Sequence, residues 1–159
     1  DRSRCEFTGV TFASSGQNLD TGCKIVHIGK NTTSTVHSKS ISKNGGAAFY
    51  RGLLKVMPEA TGTKATVECE SLMLDNISSS DTIPIIDIRN DSVDIGHEAK
   101  IGRISDEAIF YLMSRGISED EAKAMIVRGF VEPISKELPL EYAVELNKLI
   151  ELELEGTIG

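Results

Sequence analysis

"STVHSKSISKNGGAAFYRGLLKVM" runs from Ser34 to Met57, two extended segments around the turn Lys43–Gly46. Val, Ile and Thr in the first segment and Phe, Tyr, Leu and Val in the second suit a pleated, half-buried surface. Gly45-Gly46 marks a hairpin-like turn. No helix follows it and no GK[ST] is present, so it is not a phosphate loop and the chain carries no ATP site of its own. Strand, turn and strand again, with nothing helical between, is the pattern that decides the fold.

The same pattern extends outward on both sides. From Glu6 to about Lys100 the chain reads as strands, with Cys23–Gly29, Ala65–Leu74 and Thr82–Asn90 the clearest further segments. Between them lie "GKNTTS", "PEATGTK" and "DNISSSD", rich in turn-forming residues. Strands recur roughly once per dozen residues without intervening helices. That excludes a βαβ sheet and leaves a sandwich, a barrel or a β-helix. No strict short repeat chooses among them. Pro84 cannot donate to a ladder and predicts an edge strand or a bulge.

At Ile104 the period changes. Ser105 followed by Asp106-Glu107 predicts a capped helix start, with Ile109, Leu112 and Met113 on its apolar face. "SEDE" (Ser118–Glu121) has the spacing of a capping box. It opens a second helix with Ala122, Met125 and Ile126 inward, ending at Gly129. Pro139 suits the first turn of a third helix reaching about Glu155, with Tyr142, Leu146, Leu149 and Ile150 as its buried stripe. The class is mainly β with a helical C-terminal part.

Bulk properties narrow the function. The net charge of -7 and the scarcity of aromatics argue against nucleic acid as a partner. No apolar run approaches the roughly 18 residues needed to span a membrane, and no signal peptide is recognisable. Cys5, Cys23 and Cys69 are an odd, widely spaced set, which fits a reducing, cytoplasmic setting better than a disulfide framework.

Three residues are candidates for chemistry. In "ATVECESLML" alternation puts Ala65, Val67, Cys69, Ser71 and Met73 on the more apolar face, so Cys69 points inward. For such a cysteine, the plain reading is a small buried hydrophobe. A thiolate role requires a nearby base or metal. His97 and Glu98 are neighbours on a β pattern, so they face opposite sides and cannot share one metal ion unless the strand bulges near Gly96. A Cys69–His97 nucleophile pair lacks any local protease signature. His27, His37, Cys5 and Cys23 read as structural.

Several stretches carry a family resemblance. "DTGCKIVHIGKNTTSTVHSKSISKNGGAAFYRG" resembles the β-helix core of the SufB/SufD family. "IGHEAKIGRISDEAIFYLMSRGISEDEAKAMIVRGF" and "ELPLEYAVELNKLIELELEG" are similar to the family's C-terminal helical part. The likeness covers about Thr8 to Gly159 and is nearest to SufB. It implies a right-handed parallel β-helix followed by a C-terminal α-helical subdomain. Residues 1–100 would be the last rungs of the β-helix core, and 101–159 a helical subdomain that docks an ATPase. The implied role is a non-enzymatic scaffold for a transient iron–sulfur cluster. Its implied partners are a SufC-type ATPase, a SufD-like subunit or second SufB copy, and a cysteine desulfurase supplying sulfur. By position, Cys69 matches the family's functional cysteine, and His97 and Glu98 match its "HEA" motif of further candidate ligands. Gly96 stands where the family often has an acid. Complete members are several times longer, so this chain corresponds to a C-terminal piece.

Overall fold

The computed structural model describes residues 1–155. β1 (Arg4–Ala13) is followed by β2 (Asn18–Thr21), β3 (Lys24–His27), β4 (Thr33–Ser42), β5 (Ala47–Val56), β6 (Thr63–Met73), β7 (Ser79–Ile88) and β8 (Val93–Arg103). β1, β4, β6 and β8 stack in that order as one parallel sheet. β5 joins β2, β3 and β7 in the other, again all parallel. The chain therefore alternates between two sheets and returns one strand further along at each turn. This is a β-solenoid of about three turns.

Register fixes the coil length. Arg4 lies opposite Thr33, Thr33 opposite Lys64, and Thr63 opposite Val93. The fold thus repeats every 30 residues or so, although no sequence motif does. The corner at Gly45-Gly46 is accordingly not a hairpin. It carries the chain from one sheet to the other, because β4 and β5 each pair with strands a full coil away. Pro84 sits on β7, which pairs only with β5 and so forms an edge, where a missing donor costs least.

Alternation fills the interior. On β6, Thr63, Ala65, Val67, Cys69 and Ser71 are buried while Lys64 and Thr66 are exposed. Ala65, Val67 and Cys69 form one core inside the coils with Val36, Tyr50 and Leu54, joined by Phe7, Cys23, Ile25 and Ile95. Two glycines permit close stacking. A Cβ on Gly22 would lie 1.9 Å from the Arg51 carbonyl oxygen, where the first coil's second-sheet strand breaks into β2 and β3. Gly62 takes φ +71° at a corner where a Cβ would meet the Asn31 side chain at 2.3 Å.

The second core lies outside the solenoid. Phe12, Ile41 and Leu72 are in register on the outward face of β1, β4 and β6. Onto this apolar ladder pack α1 (Asp106–Ser114), α2 (Glu119–Ser135) and α3 (Leu140–Glu155) through Ile109, Ala122, Val127, Val131 and Ile150. Burying each of the valine and isoleucine side chains contributes roughly 1.5–3 kcal/mol before entropy is counted. Lys39 Nζ, 4.4 Å from the Phe130 ring centroid, adds a cation–π contact. Ser105 and Ser118 cap α1 and α2 by accepting hydrogen bonds from the Ala108 and Glu121 amides.

The helices differ from expectation in detail. α2 passes Gly129 and ends at Ser135, with Pro133 inside it. Val127, Val131 and Ile134 continue the buried stripe and outweigh the ladder bond that Pro133 cannot make to Gly129. On α3 the buried side is Leu146, Ile150 and Leu154, whereas Tyr142 and Leu149 are exposed. Met113 and Met125 are also exposed. No helix among the described residues is long and apolar enough to cross a membrane.

Candidate functional site

Cys69 lies in the middle of β6, 3% exposed. Its column across the first sheet is Gly9, Ser38, Cys69 and Ala99, all small, which leaves room for the large side chains opposite. Burial pushes the Cys69 thiol up, away from the thiolate. The Thr82 hydroxyl, although without a well-formed hydrogen bond, lies near enough to oppose that effect in part; Cys23 reinforces it. Tyr50 is likewise driven upward, first by burial and then by Cys23, whose Sγ lies 3.3 Å from its Oη. Burial thus disfavours the Cys69 thiolate, the opposite of what activates a nucleophilic cysteine.

His97 stands on β8 opposite Val67, and Ala99 stands opposite Cys69. His97 and Cys69 therefore share the interior face of adjacent coils, one alternation apart. The imidazole is exposed at the open end of the solenoid. It also helps line a narrow apolar hollow with Cys23, Tyr50, Val67 and Pro84. The hollow has about 10 Å³ of usable space, roughly that of one small molecule such as water.

Glu98 faces the other way. It is in register with Glu68 on the outward surface, about 4.8 Å away across the strands. Its Oε1 pairs with Lys100 Nζ at 3.0 Å. That contact holds the Lys100 ammonium above its usual range, with smaller help from Glu70 and Glu68. Neighbouring pairs complete a charged face: His37 Nδ1 is 3.1 Å from Glu68 Oε2, and Lys39 pairs with Glu70. The opposite orientation of His97 and Glu98 follows the regular alternation expected from sequence, and no bulge relaxes it. Among the described residues, no three His, Cys, Asp or Glu side chains converge as a metal site.

Other polar residues near the thiol were not singled out by sequence. Ser40 Oγ is 2.7 Å from Ser71 Oγ and 3.2 Å from Ser80 Oγ, inside the coil beside Cys69. His27 and His37 behave as structural histidines. His27 is 4% exposed, with Nδ1 2.7 Å from Thr32 Oγ1 and Nε2 2.9 Å from Ser34 Oγ.

The fold is a stack of parallel coils with a helical layer on one face, an enclosed thiol and an exposed last rung: a β-solenoid. Residues 1–130 match the family described as SUF system FeS cluster assembly, SufBD core domain, and the chain belongs to that family. An iron-sulfur cluster assembly SufBD family protein of Staphylococcus epidermidis is 55% identical over 150 residues, 94% of this chain and 32% of that protein. Proteins of the same description from Mycobacterium leprae and Mycobacterium tuberculosis are 53% and 52% identical over the whole chain, which covers 18% and 19% of them. The chain thus spans a third or less of the length of these relatives.

Proposed function

We propose that this chain is the C-terminal part of a SufB-type scaffold on which an iron–sulfur cluster is built as cargo and then released. The single observation that carries this reading is the placement of Cys69 and His97 on one interior face at the late rungs, in a chain of the SufBD family. Iron favours thiolate ligands, while imidazole or carboxylate makes a cluster easier to surrender. Of the three thiols, Cys69 alone is well placed for a ligand, and one such thiol suits a scaffold that must let go. The remaining ligands come from sulfide and from a second subunit, either SufD-like or another SufB copy, at the open rung. Exposed Ile83, Ile85, Ile86 and Ile88 on β7 support a partner there. Glu98, on the outward face, acts as a ligand across that seam or as support, and His97 takes the other part.

The helices receive a SufC-type ATPase; Phe110, Leu140 and Tyr142, exposed by 74%, 76% and 63%, are apolar side chains a partner would cover. ATP-driven closure then distorts the solenoid enough to bring the Cys69 thiol out of its apolar surroundings, where it can ionise. Sulfur arrives as persulfide from a cysteine desulfurase, in the cytoplasm.

Anaerobic reconstitution of the full complex with iron and sulfide tests this. Wild type develops charge-transfer absorption, and Cys69→Ala abolishes it; unchanged absorption removes Cys69 from the ligand set. A wild-type complex that binds its partners but never colours would instead identify a SufD-like docking module.

A further inference from the structure

Lys43 is an unusual lysine. It sits at the corner between β4 and β5, 7% exposed, and its amine is turned under the helical layer. Nζ donates to the main-chain carbonyl of Glu153 and, at 3.3 Å, to that of Leu154. These are carbonyls of the last described turn of α3, with no helical partner among the described residues. The amine also lies 5.7 Å from the Phe12 ring centroid, and a buried Glu153 carboxylate oxygen, with no hydrogen bond among the described residues, lies within its electrostatic reach. A solenoid corner thus supplies a side-chain donor to main-chain carbonyls of a helix 110 residues further along the chain.

The corner is itself tied to the coils on either side. The Lys43 amide donates to the Ala13 carbonyl at 2.9 Å, in the coil before. The Asn44 amide donates to the Asp75 carboxylate, the Gly45 amide to Ser78 Oγ at 3.0 Å, and the Ser79 amide to the Gly46 carbonyl at 3.1 Å, in the coil after. Ser79 starts β7, which brings Ser80 to the Ser40–Ser71 hydroxyl pair and Thr82 to the Cys69 thiol. Hydrogen bonds joined by the main chain of the corner therefore lead from α3 to the strand that covers Cys69.

We infer that Lys43 is a positioning residue: its clasp on α3 transmits displacement of the helical layer to the β4–β5 corner, and through it to the interior around Cys69. The significance for cluster assembly rests on the scaffold reading above. The coupling itself is a property of this chain and is measured without iron.

The experiment uses the chain with Cys5 and Cys23 replaced by alanine, so that Cys69 is the one reactive thiol. Lys43→Met is expected to speed amide hydrogen exchange in the last turn of α3 at least tenfold. It is also expected to speed reaction of Cys69 with a small neutral thiol reagent by a similar factor, with Lys43→Arg restoring both. Val127→Ala serves as the control: it loosens the helical core without touching the corner, and should speed Cys69 labelling less than threefold. Faster exchange in α3 with unchanged Cys69 labelling would show a local contact only and overturn the inference. Equal acceleration by Val127→Ala would overturn it too, since general loosening would then suffice. Should Lys43→Met not fold, Lys43→Gln is read on the same two rates, and a change confined to α3, or to neither site, counts against the coupling.

Discussion

Protonating His27 would place a charge between two hydroxyls in a corner that water does not reach. Burial accordingly holds its imidazole below the ordinary value of 6.5. As pH falls through 6.5, the unfolded chain takes up a proton that the folded chain does not, so stability declines; the loss levels off below the folded value. Urea titrations between pH 7.5 and 5.5 should show this decline in wild type and a shallower one in His27→Gln. Asp75 acts at lower pH. Burial alone would raise it, but the Ser78 hydroxyl and the amides of Ser78, Asn44 and Ile77 together hold it below 3.8. Its stabilising effect is present above 3.8 and disappears as pH drops through the depressed value. At this scale the sequence was legible where alternation governs: Cys69 inward, His97 and Glu98 to opposite sides. The partners were not. Thr32–Thr63, His37–Glu68, Lys39–Glu70 and Ser40–Ser71 are all 31 residues apart, a spacing that means nothing until the coil length is known.

Elements follow their apolar stripes more faithfully than their punctuation. α2 runs on through Gly129 because Val131 still has a core to enter and Ile134 is still buried. Met113, Met125, Tyr142 and Leu149 are apolar by composition yet point away from that core, because a short helix buries only the stripe its neighbours cover. The β4–β5 corner was misread as a hairpin for a related reason: glycines specify that the chain turns, not which strand it then pairs with. Two substitutions test this level. Ile41→Ala, at the seam of solenoid and helices, should cost about 2–5 kcal/mol in urea-induced unfolding. Gly22→Ala must displace the Arg51 carbonyl or the chain itself, and should cost about 1–3 kcal/mol, as overpacking does. A Gly22→Ala protein of wild-type stability would mean that the strand break shifts at no cost.

For the whole molecule, stacked coils make stability a matter of neighbours: inner coils have two and each end coil one. Amide exchange should therefore be slowest in β4, β5 and β6 and fastest in β8, whose outward and inward faces are both largely exposed. Uniform protection along the stack would contradict this picture. The general class, strands then helices, could be read from periodicity; the solenoid came from family likeness, since 30-residue coils with variable side chains leave no visible repeat. The corners and the strands also differ in what they tolerate. Successive coils are offset by 29, 31 and 30 residues at the first sheet, from Arg4 to Thr33, Thr33 to Lys64 and Thr63 to Val93. Length has thus varied at the bends without disturbing the stacking. A residue inserted at an exposed bend such as Glu59 would be absorbed there, whereas one inserted within β6 before Cys69 would turn the thiol outward and bring a glutamate into the interior.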